Sequence, residues 1–218
     1  MTNALMTMAL SPEYKELGKR TFPLMQEYAS KYNLDFVACM VDRRPGRTFG
    51  WNRMDCLRSL LEIYERIIQI EVDVIVNPAA RDVLSLLPEG VFYGFDAIDY
   101  DPLRCEPCWL HAYDDWPNEF KPGDGYPGFM YNAGAMIVDK SHRALFAPTE
   151  NELDHGMVEQ AVVNMRLHKL GMRHKNVPDV IRLSYTWTDQ PKPDFLAISW
   201  QQGSKADGVA VFWDRMMT

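Results

Sequence analysis

The chain has 218 residues, 47% of them hydrophobic and 24% charged, with a formal net charge of −7. This length suits one well-buried core and is short for two ordinary domains, and the balance excludes a disordered chain. The acidic total excludes a general nucleic-acid or anionic-membrane binder, which needs basic patches, but leaves room for a local basic cleft.

The opening residues MTNALMTMAL lack the basic flank and cleavage site of a signal peptide and read as a first strand. No segment approaches the roughly 20 apolar residues that span a bilayer. Asn3 to Leu10 is an apolar run that ends at Ser11-Pro12-Glu13. Ser11 suits a helix cap and Pro12 a first turn, so a helix is expected from here to about Tyr32, kinked at Pro23. Leu34 to Val41 then reads as a second buried strand. Asp42 to Thr48 (DRRPGRT) is a polar, turn-rich loop. Met54, Leu57, Leu61 and Tyr64 recur at helical spacing, which predicts a helix over Asn52 to Glu65.

Ile67 to Ile70 is a short, β-branched run of the kind found in central strands, and it leads into Glu71-Val72-Asp73. Val74-Ile75-Val76 and the breaker Asn77-Pro78 follow. Asp96 to Tyr126 is rich in Pro, Gly, Asp and Trp without periodicity, and reads as a long surface excursion. Its aromatics, Trp109, His111, Tyr113, Trp116 and Tyr126, read first as a small satellite core and second as an acceptor-binding loop. Tyr131 to Asp139 returns to strand, and Asp154 to Leu170 is helical with Val158, Ala161, Val162 and Met165 on one face. Strands and helices thus alternate, which predicts a single α/β domain over 1–218 with a mostly parallel central sheet flanked by helices.

Of the four cysteines, only Cys105 and Cys108 are close in sequence, and no second Cys/His pair follows at zinc-finger spacing. Reduced thiols in a cytoplasmic protein are the simpler reading. His142, His155, His168 and His174 are scattered in polar contexts and read as surface residues.

The most informative chemistry is Glu71-Val72-Asp73 at the end of a buried strand. Residues two apart in a strand face the same side, so both carboxylates would project from the carboxyl end of the sheet, where open α/β sheets bind ligands. Such a pair suits Mn²⁺ or Mg²⁺ holding a diphosphate. The plain alternative is a pair of acids solvating a strand end.

The stretch Trp51-Asn52-Arg53 through Glu65-Arg66-Ile67-Ile68-Gln69-Ile70-Glu71-Val72-Asp73 resembles GT-A glycosyltransferases of the glycogenin and galactinol-synthase type. In that group a W-x-K/R helix leads through a "YDRIIWIDAD" strand to a D-x-D motif; here Glu71 replaces the first Asp. Tyr131-Asn132-Ala133-Gly134-Ala135-Met136 is similar to the group's "FNAGVMLI" strand, and Glu159-Gln160 with Asn164 to its "DQxxLN" helix. Ile198 to Lys205 is similar to "HxxGxxKPW", with the histidine replaced by Trp200, or by Ser199 if the register shifts by one.

The resemblance implies a metal-dependent, retaining transfer of a hexose from a nucleoside diphosphate sugar, UDP-linked, to a hydroxyl acceptor. It implies metal ligands Glu71 and Asp73, and sugar-positioning residues Asn132, Glu159 and Gln160. Gly134 would allow close approach of the donor sugar. Gly203 and Lys205 would meet the diphosphate, with Arg53 adding positive charge. Ala9 and Tyr14 would hold the base, Tyr14 by stacking. Two rivals remain: a nucleotidyltransferase, whose Gly-rich opening signature is missing at Leu10-Ser11-Pro12-Glu13, and a non-catalytic sugar-nucleotide or glycan-binding protein with a degenerate metal site.

Overall fold

A computed structural model describes residues 2–96, 128–149, 158–177, 183–184 and 197–199. The excursion expected over Asp96 to Tyr126 and the positions of Trp200, Gly203 and Lys205 lie largely or wholly outside the described residues.

The elements in chain order are β1 (Asn3–Met8), α1 (Pro12–Lys31), β2 (Asp35–Cys39), α2 (Phe49–Leu60), β3 (Arg66–Ile70), β4 (Val74–Val76), α3 (Val83–Leu86), β5 (Phe92–Asp96) and β6 (Tyr131–Asp139). A 3₁₀ segment (Lys140–Phe146), α4 (Val158–Lys169), β7 (His174–Asn176), β8 (Leu183–Ser184) and β9 (Ala197–Ser199) follow. The main sheet has the order β2-β1-β3-β6-β5-β7. β1 is parallel to both β2 and β3, and β5 is parallel to β7. Only β6 runs against its neighbours, β3 and β5. A small second sheet, β4-β9-β8, joins β4 to β9 antiparallel. The expected α/β architecture with a mostly parallel central sheet is the one observed.

Strand alternation sorts the core into two faces. Met6 and Met8 of β1, Ile67 of β3 and Met136 and Val138 of β6 pack against Trp51, Met54 and Leu57 of α2 and Ala161, Val162 and Met165 of α4. Leu5, Ile68, Ile70 and Ile137 face the other way, onto Met25 and Tyr28 of α1. Burial of both sheet faces explains why β1 and β3 read as unbroken apolar runs.

Several expectations need adjustment. The Leu34 to Val41 strand is shorter and lies at an edge of the sheet, so it is half-exposed rather than buried. The helix expected over Asn52 to Glu65 starts and ends earlier. Its first turn includes Phe49 and Gly50, and Leu61 caps it, with Tyr64 in the turn beyond. α1 runs continuously through Pro23, whose ring lies on the exposed side. Ser11 caps α1 as expected, its hydroxyl accepting from the Tyr14 amide at 3.2 Å.

Candidate functional site

The carboxyl ends of β1, β2 and β3, the first turns of α1 and α2, the start of β6 and the first turn of α4 meet along one edge of the sheet. β3 ends at Ile70, and Glu71-Val72-Asp73 forms a turn closed by the Val74 amide donating to the Glu71 carbonyl at 3.1 Å. The turn is pinned from three sides. The Glu71 amide donates to the Gly134 carbonyl at 2.8 Å, and the Thr21 hydroxyl of α1 donates to the Val72 carbonyl at 2.8 Å. Val72 packs with Ala9 and Leu17.

Strict alternation governs Glu71, which shares a side with Ile67 and reaches α2, but it does not extend through the turn to Asp73. Asp73 is 2% exposed. Gln69, two residues before Glu71, is also buried, and its side-chain oxygen accepts no hydrogen bond.

At the centre is Arg53, which sequence reasoning set against an exposed helical cation. It is instead buried between two carboxylates. Its guanidinium donates to Glu71 Oε1 at 2.8 Å and to Glu159 Oε1 at 2.6 Å. Side-chain exposure is 5% for Arg53, 25% for Glu71 and 9% for Glu159. Burial works against the charge on Arg53, but the Glu159 and Glu71 carboxylates outweigh it and hold the guanidinium above its ordinary pKa.

Gly50 is part of the same arrangement: a Cβ at that position would overlap the carboxylate of Glu159. The absence of a side chain in the first turn of α2 is what lets α4 bring its acid to Arg53. Phe49 carries the cluster outward, with its ring 5.6 Å from the Arg53 guanidinium and 5.9 Å from the ring of Tyr14.

The start of β6 is irregular in a way the sequence did not announce. Its register with β5 shifts between Gly94 and Phe95, which pair with Met136 and Asn132, so residues 133–135 fall outside that ladder. Side chains bind backbone amides at and next to the shift. The Ala133 amide donates to Gln160 Oε1 at 2.9 Å, the Gly134 amide to Asn132 Oδ1 at 2.6 Å and the Tyr131 amide to Asn164 Oδ1 at 2.7 Å. Asn164 also returns a bond to the Tyr131 carbonyl at 2.9 Å. Gln160 and Asn164 lie one helical turn apart on α4, so a single helix face clamps the bulge. Asn164 appeared only as part of a motif; its four-residue spacing from Gln160 was the available signal.

Known structures share this framework. A glycosyltransferase involved in the glycosylation of the major capsid of PBCV-1 superposes with a TM-score of 0.63 at 14% identity, over 98% of this chain and 99% of that one. The WbbM bifunctional glycosyltransferase gives a TM-score of 0.52 at 13% identity, over 83% of this chain and 39% of that one. No protein-family model and no curated protein sequence matches the chain.

The fold is that of a GT-A glycosyltransferase.

Within this GT-A framework the structure brings together Ala9, Tyr14, Arg53, Glu71, Asn132, Gly134, Glu159 and Gln160, linked through the contacts above. Gly203 and Lys205 lie outside the described residues. Of the histidines expected at the surface, His168 is exposed, but His142 is buried at 2% because its Nδ1 accepts the Asp139 amide at 2.9 Å. No helix among the described residues is long and apolar enough to cross a membrane.

Among the described residues, Glu71 and Asp73 are the carboxylates at the acidic turn, and Asp73 Oδ1 is buried and accepts no hydrogen bond. Glu71 gives one oxygen to Arg53, and no group of three His, Cys, Asp or Glu suited to a metal occurs among the described residues. The family's third ligand, a histidine, is replaced in this sequence by Trp200, or by Ser199 if the register shifts by one. β9 pairs with β4, with Ser199 opposite Val74, and Trp200 lies outside the described residues.

Proposed function

We propose that this protein is a glycosyltransferase that takes a hexose from a nucleoside diphosphate sugar, UDP-linked, and passes it to a hydroxyl acceptor. One observation carries the reading: Glu71 and Glu159, far apart in sequence, converge on Arg53 beside the bulged segment 133–135, at the ligand-binding edge of a GT-A sheet. A fold requires neither the buried charge cluster nor the bulge at that edge, and buried charges are costly unless they are paired.

In this reading the bond between the anomeric carbon and the β-phosphate oxygen breaks, and a bond from that carbon to the acceptor oxygen forms. The acceptor proton leaves with the departing diphosphate or to solvent. Asn132, Glu159 and Gln160 position the transferred sugar, and Gly134 admits it close to the backbone. Tyr14 and Ala9 flank the base, and Gly203 and Lys205 meet the diphosphate, Lys205 as a point charge where negative charge develops. Retention of anomeric configuration rests on the resemblance to the glycogenin type alone.

A thermal-shift panel of UDP-, GDP- and ADP-sugars tests this directly. A ligand present at about 100 times its dissociation constant stabilises a fold by about 2.7 kcal/mol, a shift of several degrees. UDP-hexoses are expected to raise the midpoint most. A flat response across the panel would remove the donor assignment.

A further inference from the structure

Two thiols that glycosyl transfer leaves unused come together where β2 meets α2. Cys39 is the last residue of β2, and Cys56 lies on α2, three residues after Arg53. Cys39 is half-buried and packs against the core cluster that holds Cys56, which is 4% exposed. The Cys39 carbonyl accepts the Ala9 amide at 3.0 Å, which fixes the end of the strand. The loop between the two cysteines is tied back to α2 at three points. The Arg43 amide donates to Asn52 Oδ1 at 3.0 Å, Asn52 Nδ2 donates to Asp42 Oδ1 at 3.0 Å, and the Arg44 guanidinium pairs with Asp55. Asn52 and Cys56 are one helical turn apart, so the face of α2 that grips the loop also carries the thiol toward β2. The two side chains act on each other directly. Cys39, helped by Arg43 and opposed by burial and Asp55, holds the Cys56 thiol below the ordinary cysteine pKa, while Cys56 and burial push Cys39 up. A thiolate facing a thiol is the state from which a disulfide forms.

We propose that Cys39 and Cys56 are a redox-active pair, which hydrogen peroxide converts reversibly to an intramolecular disulfide that ties β2 to the helix bearing Arg53. The thiolate of the pair attacks one peroxide oxygen, the O–O bond breaks, hydroxide leaves, and a sulfenic acid forms. The second sulfur then attacks the first, and its proton leaves with the displaced hydroxide as water. Two thiols and one peroxide thus give one disulfide and two waters. α2 holds Arg53 against Glu71 and Glu159, and Gly50 leaves no slack beside Glu159, so the bridge acts on the element that carries the charge cluster.

The test treats the full, reduced chain with hydrogen peroxide under native conditions, blocks the remaining thiols and digests the protein without reductant for mass spectrometry. Arg43, Arg47 and Arg53 place the two cysteines in different tryptic peptides, so a bridge appears as one cross-linked species. The expected product joins Cys39 to Cys56, is lost on addition of dithiothreitol, and forms faster in the folded chain than in denaturing urea by about tenfold or more. The same product is expected from Cys105→Ser/Cys108→Ser, which removes the other two cysteines, and none from Cys39→Ser. Cys39 and Cys56 still blocked as separate thiols, or joined to Cys105, Cys108 or a second chain instead, would overturn the proposal. Equal rates in folded and unfolded chains would overturn it too, because the fold would then contribute nothing to the pairing. The wild-type peptide map decides the question even where a variant does not fold.

Discussion

At the scale of single residues, the site depends on a glycine and an arginine whose roles are complementary. Gly50→Ala places a methyl group where the Glu159 carboxylate lies, so either α2 or α4 must shift. The expected cost is roughly 1–3 kcal/mol of stability in a denaturant melt. In the double variant Gly50→Ala/Glu159→Ala the two effects should add to less than their sum, because the clash is gone. Removing Arg53 leaves two acids without their counter-charge, and Arg53→Met is expected to cost about 3–5 kcal/mol, as for breaking a buried ion pair from one side. Stability unchanged in that variant would mean that the pair is not closed in solution.

His142 offers a separate test. Burial, opposed by Asp139 and reinforced by Arg66, holds its imidazole below the ordinary histidine pKa. The neutral ring is the form that can accept the Asp139 amide. The unfolded chain takes up a proton near pH 6.5, earlier than the folded one as pH falls. This group's contribution to stability is therefore complete above about pH 6.5 and is lost as pH drops through the lower folded value. His142→Gln should flatten that part of the stability profile, read from melts across pH 7.5 to 5.

At the scale of elements, the clamp between α4 and β6 decides how the strand presents its bulge. Gln160→Leu removes the acceptor for the Ala133 amide and Asn164→Leu the acceptor for the Tyr131 amide, both buried. Each should cost about 1–3 kcal/mol. In hydrogen exchange, the amide of Ala133 should lose protection in the first variant and that of Tyr131 in the second, with β1 and β3 unaffected. The elements themselves were largely legible in the sequence. Tyr131 to Asp139 and the strand Ile67 to Ile70 stood out because strands buried on both faces read as continuous apolar runs. The start of α2 was misplaced because Phe49-Gly50 carries no helical signal. Position 50 has no room for a side chain beside Glu159, a tertiary reason for its glycine that local sequence cannot show. The bulge was hidden for a similar reason: the side chains that satisfy it come from α4, 27 and 33 residues downstream.

At the scale of the whole molecule, the α/β architecture and the edge of the sheet that carries the site followed from alternation and from the order of short motifs. Charge pairing did not follow from them. Arg53, Glu71 and Glu159 were each identified, but as a phosphate contact, a metal ligand and a sugar contact, because spacing along the chain does not reveal which opposite charges meet in the fold. Transfer itself is tested most directly by following release of free UDP from a UDP-hexose, with water as the substitute acceptor, by wild type and by Glu159→Gln. The expected result is steady UDP release by the wild-type chain and a loss of tenfold or more in the variant, equivalent to about 1.4 kcal/mol of transition-state stabilisation. Release of no nucleoside diphosphate from any sugar nucleotide, or equal release by both proteins, would contradict a glycosyltransferase centred on this cluster.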